Sequence, residues 1–267
     1  MSDENDAIGI FDSGVGGLTV LREISARMPL ESVVYLGDTA RVPYGTKSRE
    51  TVIRYARACS RVLLERGVKL IVVACNTASA HAVETLCAEL GVPVLGVIEP
   101  GARAAAAACR GGHVGVIGTA GTIASGAYTD VIRCLRPELE VHGQACPLFV
   151  PLAEEGWTEG EVPKQVARRY LAPLLAKGID TLVLGCTHYP LLKTTISDVA
   201  GEAVTLVDSA ASTAAVVEET LRGMGMCCSV PMAPRHRYFV SDVPAGFGET
   251  ARRFLGSDLG EIEWVDF

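Results

Sequence analysis

Two short apolar runs constrain the fold of this sequence more than any other feature. Residues 70–74 and 181–185 are rich in apolar and β-branched side chains, and each run ends directly before a cysteine, Cys75 or Cys186. Runs of this kind, without polar alternation, are typical of strands buried on both faces of a parallel sheet. Groups that bind ligands in open α/β sheets lie beyond the carboxyl ends of the strands. We therefore expect both thiols at the sheet edge where ligands bind.

The segments that precede these strands also correspond to each other. A strand-like opening at residues 8–14 comes before Cys75, and a similar opening at residues 114–120 comes before Cys186. Asp12 lies 63 residues before Cys75, and Gly118 lies 68 residues before Cys186. The same order at nearly the same separation predicts two related α/β units.

Strand-like and helical patterns alternate along the chain with short connections, which predicts parallel sheets with right-handed crossovers. The fold class is α/β, with two similar doubly wound domains and the active site in the cleft between them. The first domain is predicted to comprise residues 1–97 plus 208–267, and the second residues 98–207. A loop is expected around residues 154–157. Helices are predicted over residues 18–28, 49–66, 102–109, 125–135, 162–177 and 209–223, and further strands over residues 32–36, 92–97 and 236–240.

Composition excludes several classes of function. The net charge is −7 and the 24 Lys and Arg residues are dispersed, so the chain offers no basic surface for a nucleic acid. No apolar stretch approaches the ~20 residues that a membrane-spanning helix needs. The chain opens with an acidic segment rather than the basic start of a signal peptide, so we expect a cytoplasmic protein with no membrane partner.

The nine cysteines are an odd number without C-x-x-C spacing, which favours reduced thiols over a disulfide framework. Most should be small buried apolar residues. For the adjacent pair Cys227 and Cys228, a redox role is the alternative.

The glycine-rich segment at residues 12–17 lacks the G-x-G-x-x-G spacing of a dinucleotide site. It predicts a tight strand-to-helix turn whose backbone N–H groups face an anion. The polar residues after each cysteine would do likewise, so three such turns around one cleft predict a small substrate with two carboxylates. The alternative is that Ser13, Asn76, Thr77 and Thr187 only cap helices, an interaction that contributes about 1 kcal/mol each.

Two thiols at one site can share acid–base work. An ordinary cysteine pKa is about 8.5 and falls at a helix N-terminus, so one sulfur can accept a proton while the other donates one. If the thiols face opposite sides of a carbon acid, removal on one face and delivery on the other inverts the stereocentre. Asp12 and His188 are candidates to orient or tune them.

Four motifs together resemble those of the glutamate racemases in the aspartate/glutamate racemase family. They are residues 12–17 (DSGVGG), Gly37-Asp38 with Pro43-Tyr44-Gly45, residues 75–78 (CNTA) and residues 185–188 (GCTH), and the similarity covers almost the whole chain. The resemblance implies a cofactor-independent isomerase that interconverts L- and D-glutamate and supplies D-glutamate for bacterial peptidoglycan. It also implies two α/β domains with the site between them, and a homodimer.

The family's functional residues can be carried over by motif. Cys75 would take the α-proton from D-glutamate and Cys186 from L-glutamate, although the residues alone do not assign these faces. The resemblance gives Asp12, Glu154 and His188 auxiliary catalytic roles, and for Glu154 the alternative is a solvated surface acid. The implied substrate contacts are Asp12, Ser13, Pro43, Tyr44, Gly45, Asn76, Thr77, Thr187 and His188.

Other functions stay open at this point. An aspartate racemase would use the same paired cysteines, although the histidine after Gly-Cys-Thr favours glutamate. A hydrolase or decarboxylase could use Cys186 as a nucleophile beside His188 but leaves Cys75 unexplained. A zinc site built from Cys75, Cys186, His188 and an acid is a further alternative, and so is a non-enzymatic module that binds glutamate. We predict no metal ligand and no cofactor, and pyridoxal phosphate is disfavoured because the five lysines do not lie beside the motifs.

Overall fold

The structure is a computed structural model that describes residues 3–229 and 234–267. It contains two separate sheets, and every strand pair in both is parallel. The fold class predicted from the sequence is therefore confirmed. None of the helices in the described ranges is long and apolar enough to cross a membrane.

The first sheet is built from the beginning and the end of the chain, and its strand order is β10-β9-β2-β1-β3-β4. Its central strands are largely apolar and buried on both faces, as the sequence pattern predicts; Asp12 and Lys69 are their two charged residues, and both are buried. Its elements are β1 (Ala7–Asp12), α1 (Leu18–Arg27), β2 (Val33–Gly37), α2 (Arg49–Leu64), β3 (Val68–Val73), α3 (Asn76–Glu89), β4 (Val94–Gly96), and, after the second sheet, β9 (His236–Val240), α11 (Phe247–Leu255) and β10 (Ile262–Trp264).

The second sheet has the order β6-β5-β7-β8. The chain reaches it through α4 and leaves it through α10, and these two helices pack against each other. The elements are α4 (Ile98–Ala108), β5 (His113–Gly118), α5 (Ala120–Ala124), α6 (Ala127–Leu135), β6 (Glu140–Ala145), α7 (Phe149–Glu154), α8 (Glu161–Leu175), β7 (Thr181–Gly185), α9 (Lys193–Ala200), β8 (Thr205–Asp208) and α10 (Ser209–Gly223). The domain boundaries given above stay a prediction.

The two sheets repeat one arrangement. The order β2-β1-β3-β4 in the first corresponds to β6-β5-β7-β8 in the second. Phe11 pairs with Val73 in the first sheet, and Ile117 pairs with Leu184 in the second. Each cysteine follows two residues after the second member of its pair, so Cys75 and Cys186 occupy equivalent positions. This register supports the internal duplication inferred from the sequence.

Some local predictions differ from the structure at their boundaries, and some elements were not predicted. The loop expected around residues 154–157 begins one residue later, because Glu154 is the last residue of α7 and residues 155–157 follow it without helix or strand. The helix predicted over residues 125–135 is α6 and begins at Ala127, because Gly126 before it adopts a left-handed conformation with φ 71°; the short helix α5 ahead of it was not predicted. The edge strands β6 and β8 were not predicted, because neither carries a long apolar run; β6 is partly exposed and half of its residues are polar, and β8 has only four residues.

Candidate active site

One cavity brings together most of the residues that the sequence singles out. It lies at the carboxyl ends of β1, β3 and β7, where the two sheets face each other. Asp12 does not line it but lies fully buried at the end of β1. Among the described residues, the lining comprises Ser13, Val42, Pro43, Tyr44, Gly45, Cys75, Asn76, Thr77, Thr119, Val150, Glu154, Cys186, Thr187 and His188.

Cys75 occupies the N-cap position of α3 and is only 7% exposed. Burial, together with the negative charge of Asp12, raises the pKa of the Cys75 thiol to about 12. Hydrogen bonds from the Ala78 backbone N–H and the Ser13 hydroxyl lower this pKa but do not outweigh burial. Before a ligand binds, Cys75 is therefore a protonated thiol with donors already directed at its sulfur.

Asp12 has one carboxylate oxygen occupied and one free. Its Oδ2 accepts a hydrogen bond from the Gly14 backbone N–H at 3.0 Å. Its Oδ1 is buried and has no hydrogen-bond partner among the described residues. Burial raises the pKa of Asp12, although the nearby charge of His188 and backbone N–H groups counteract it. An unpaired buried carboxylate oxygen costs about 1–3 kcal/mol or more, so this position is suited to a ligand that donates a hydrogen bond.

Cys186 follows β7 directly and is also nearly inaccessible, with 6% exposure. Its Sγ lies 3.9 Å from Nδ1 of His188, and Nε2 of the same ring lies 2.9 Å from Oε1 of Glu154. Phe254 packs edge-on against the imidazole, with ring centroids 4.9 Å apart. Burial lowers the pKa of His188, but its hydrogen bonds to Cys186 and Glu154 outweigh burial and raise it above the ordinary value. The result is a hydrogen-bonded chain from the second thiol to a partly exposed carboxylate.

The side chain of Asn76, the residue after Cys75, is held by a residue of helix α6. The hydroxyl of Tyr128 donates to Asn76 Oδ1 at 2.7 Å. This contact fixes the amide so that Nδ2 is buried, and Nδ2 has no acceptor among the described residues. A free amide N–H at the cavity wall can donate to a carboxylate.

Thr77 and Thr119 connect the two halves of the cavity. Their hydroxyl oxygens lie 2.9 Å apart, and Thr77 Oγ1 also lies 3.2 Å from that of Thr122. Thr119 and Tyr128 are contacts that the sequence analysis missed. A signal for Thr119 was present, because the register that matches Asp12 with Gly118 also matches Ser13 with Thr119.

The predicted contacts at Pro43, Tyr44 and Gly45 lie in and just before a short 3₁₀ helix, Tyr44–Thr46. The Tyr44 hydroxyl is directed at Asp38, to which it donates at 2.5 Å. Its phenol is therefore already engaged, and the turn would contact a ligand through backbone N–H groups, which lack partners at a helix start. Gly45 must be small, because a Cβ there would lie 2.8 Å from Thr119 Cβ.

The capping alternative is wrong at the three turns. No side chain caps α1 or α3, or the 3₁₀ helix Tyr189–Leu192 that follows His188. The glycine-rich turn at residues 12–17 instead packs against the turn that follows Cys186. A Cβ on Gly16 would lie 2.2 Å from Thr187 Oγ1. The absence of a side chain at Gly16 is what lets the two turns meet.

The zinc alternative lacks the geometry it needs. Within the described parts of the chain, the donor atoms of Cys75, Cys186 and His188 do not form a group lying within 4.8 Å of one another. A tetrahedral zinc ion with bonds of 2.0–2.3 Å requires closer ligands.

Comparison with known proteins gives a single family. The family described as Asp/Glu/Hydantoin racemase matches residues 18–217, well over half of the chain. The chain belongs to the Asp/Glu/Hydantoin racemase family. As a member, it is an amino-acid racemase, which is an isomerase.

Individual members of this family are similar over nearly the full length. The glutamate racemase of Geobacter metallireducens is 60% identical over 259 residues, which cover 97% of this chain and 96% of the relative. The crystal structure of a glutamate racemase isoform from Bacillus anthracis matches with a TM-score of 0.94 and 41% identity, covering 98% of both chains. The Francisella tularensis glutamate racemase in complex with D-glutamate matches with a TM-score of 0.93 and 36% identity, again covering 98% of both chains.

Proposed function

We propose that this chain is a glutamate racemase that interconverts L- and D-glutamate by a two-base mechanism, in which one of Cys75 and Cys186 removes the α-proton and the other delivers its own proton to the opposite face. The observation that carries the proposal is the equivalent placement of the two thiols, each directly after a central strand of its own sheet and both lining one cavity. Pseudosymmetric strands can present two thiols to opposite faces of one carbon, as inversion requires.

The unpaired polar atoms of the site match the groups of an amino acid. Asp12 Oδ1 is a buried acceptor suited to an ammonium group, and Asn76 Nδ2 is a buried donor suited to a carboxylate. The turns at Ser13 and Tyr44 add backbone N–H donors for the second carboxylate. A ligand with one ammonium and two carboxylates would satisfy atoms that otherwise have no partner.

The reaction is a proton exchange without a change of oxidation state. In the direction that begins with D-glutamate, the Cys75 thiolate accepts the α-proton and the Cys186 thiol donates its proton to the opposite face. The product is L-glutamate, and the enzyme is left with a Cys75 thiol and a Cys186 thiolate. His188, held by Glu154, lies where its ring N–H can stabilise negative charge on the Cys186 sulfur. The assignment of each thiol to one enantiomer comes from the family resemblance.

Exchange in D2O tests the proposal directly. The purified protein, freed of metal and pyridoxal phosphate, would be given L- or D-glutamate separately and followed by circular dichroism and proton NMR. Both enantiomers should converge to a racemate with deuterium at the α-carbon. A parallel assay with L- and D-aspartate distinguishes the aspartate racemase alternative.

Two outcomes would contradict the proposal. Absence of exchange with glutamate would leave another acidic substrate or a binding module. A covalent adduct on Cys186, detected by intact mass spectrometry, would favour the nucleophilic hydrolase or decarboxylase.

The supply of D-glutamate for peptidoglycan is the cellular role that this activity would serve. It is tested by asking whether the gene supports growth of a bacterial strain that requires added D-glutamate. A matched Cys75→Ser gene should fail to do so. The homodimer and the cytoplasmic location stay predictions.

A further inference from the structure

Two histidines and a glutamate meet on the second sheet, away from the cavity described above. We propose that His113, Glu140 and His142 form a binding site for a borderline divalent cation of the Zn²⁺ type. Within residues 3–229 and 234–267, this is the one group of three or more Cys, His, Asp or Glu side chains whose ligand atoms lie within 4.8 Å of one another.

The strands themselves bring the three side chains to one place. His113 begins β5 and is the register partner of Glu140, which begins β6. His142 follows Glu140 by two residues, and side chains two apart in a strand project to the same face. Both strands are joined by a continuous parallel ladder, so the backbone beneath the three ligands is fixed before any ion binds.

The distances between the ligand atoms suit a small cation. His113 Nδ1 lies 3.3 Å from His142 Nε2, and Glu140 Oε2 lies 3.7 Å from each of these nitrogens. A triangle with these sides has a circumscribed circle of radius about 2.1 Å, so one point lies about 2.1 Å from all three atoms. Zinc bonds to histidine nitrogen and carboxylate oxygen measure about 2.0–2.2 Å.

The orientation of the rings agrees with a shared ion. The two imidazole centroids are 5.5 Å apart, much farther than the two nitrogens, so the nitrogens lie on the facing sides of the rings. Two imidazoles and one carboxylate are a donor set found at zinc and other transition-metal sites, whereas magnesium prefers oxygen ligands. The partial exposure of all three side chains leaves room for water at the remaining positions.

The proposed metal site lies far from the two thiols, so a bound ion would affect stability rather than the reaction. It lies at the amino ends of the strands, whereas Thr119 and Cys186 follow the carboxyl ends; five residue steps along β5 separate the two levels by about 17 Å. β6 is an edge strand, and it is only partly buried. A bound ion would join this edge to β5 and stabilise the sheet without touching the reacting groups.

One nearby charge opposes the ion. The positive charge of Lys177 acts on His142. Because like charges repel, Lys177→Met should tighten metal binding, which a purely hydrogen-bonded histidine pair would not show.

The test uses the full chain with Cys75→Ser and Cys186→Ser, because thiols also bind zinc. After chelator treatment, Zn²⁺ alone is titrated by calorimetry, with Mg²⁺ as the comparison ion. Glu140→Gln is the first variant because Glu140 is 68% exposed and its replacement does not endanger folding; His142→Gln is the second, and His81→Gln is the matched control. Co²⁺ absorption spectra report whether the ligands include sulfur.

The proposal predicts one Zn²⁺ per chain, no heat with Mg²⁺, and a Co²⁺ spectrum without a thiolate charge-transfer band. The loss of a ligand in Glu140→Gln or His142→Gln should weaken Zn²⁺ binding at least 10- to 100-fold, while His81→Gln leaves it unchanged. Zinc at about 100 times its Kd should raise the melting temperature by about 5–10 °C. Zinc binding that is equal in the parent, Glu140→Gln and His142→Gln chains, or an absence of zinc binding, would overturn it.

Discussion

The two cysteine turns have the same backbone but different neighbours. Cys75 and Cys186 follow equivalent strands at equivalent register positions. Around Cys75 lie a buried carboxylate, a hydroxyl and a backbone N–H, whereas Cys186 faces an imidazole that pairs with a second carboxylate. The duplicated backbone explains why two thiols share one cavity, and the unlike side chains give each thiol its own electrostatic surroundings.

This difference cannot appear as a difference in overall efficiency between the two directions. L- and D-glutamate have the same free energy, so the equilibrium constant is one and kcat/KM is equal in both directions for every variant. The difference between the two thiols must therefore be measured as exchange of a single enantiomer, as kcat in each direction, or as the pH dependence of kcat.

Replacing either thiol should have the largest effect. We expect Cys75→Ser and Cys186→Ser each to lower racemisation by about 10²–10⁴-fold, the range typical of a lost acid–base group. Each variant keeps one thiol, so deuterium should enter only one enantiomer, and the preferred enantiomer should differ between the two variants. NMR in D2O measures both quantities.

Cys134→Ser is the control, because Cys134 is an exposed thiol outside the cavity. Full racemisation by either active-site variant would contradict the two-thiol mechanism. Loss of exchange from both enantiomers in both variants would mean that the thiols do not act on separate faces.

Asp12→Asn should have the next largest effect. The substitution removes the charge from the one carboxylate oxygen suited to an ammonium group, and a hydrogen bond to a charged group contributes about 1.5–3 kcal/mol, or 10- to 100-fold in kcat/KM. It also removes a negative charge that raises the pKa of Cys75. The acidic limb of kcat should therefore move to lower pH in the direction that begins with D-glutamate.

Asp198→Asn is the matched control, because Asp198 is a surface residue paired with Lys164. An equal displacement of the acidic limb in both directions would contradict an effect specific to Cys75. An unchanged kcat/KM would exclude Asp12 from substrate binding.

Glu154→Gln tests the surroundings of Cys186, and the quantity measured is the free energy of unfolding. The pKa of His188 is raised in the folded protein, so the stabilisation from its charged form is fully present below about pH 6.5 and is lost as the pH rises through the folded pKa. Replacing Glu154 removes one cause of that shift. The variant should be less stable than the parent by about 1 kcal/mol at pH 6, a small value because Glu154 is 41% exposed, and the difference should shrink towards pH 10.

Urea unfolding at pH 6 and pH 9.5 measures this difference. Glu155→Gln is the matched control from the adjacent position. If both variants lose the same stability at both pH values, Glu154 is only a solvated surface acid and its contact with His188 contributes nothing.

The parts of the site that could be predicted are those set by residues close together in the sequence. The apolar runs before Cys75 and Cys186 indicate buried parallel strands, and parallel strands place their following residues at one edge, so the two thiols were predictable locally. The helix that presents Glu154 was not, because it has only six residues and contains Pro151. The contact between Tyr128 and Asn76 joins residues 52 apart in sequence, and no local pattern encodes it.

The contact between Tyr128 and Asn76 has a counterpart at Thr187, the residue after Cys186. The hydroxyl of Tyr128, in α6, holds the side chain of Asn76, while the hydroxyl of Thr19, in α1, is shared between the backbone oxygens of Gly16 at 2.9 Å and Thr187 at 3.1 Å. Each residue that follows a cysteine is therefore held by the opposite unit. Such contacts couple the two halves of the cavity as well as orienting their polar groups.

Tyr128→Phe should give the smallest effect. It releases the Asn76 amide without removing it, and a neutral hydrogen bond contributes about 0.5–1.5 kcal/mol, so we expect KM to rise about threefold with little change in kcat. Tyr170→Phe is the control, because it removes a tyrosine hydroxyl that accepts a backbone hydrogen bond away from the thiols. If kcat falls more than KM rises, Asn76 is needed in the transition state rather than in the binding of the ground state, and the unit opposite each cysteine positions the reaction as well as the substrate.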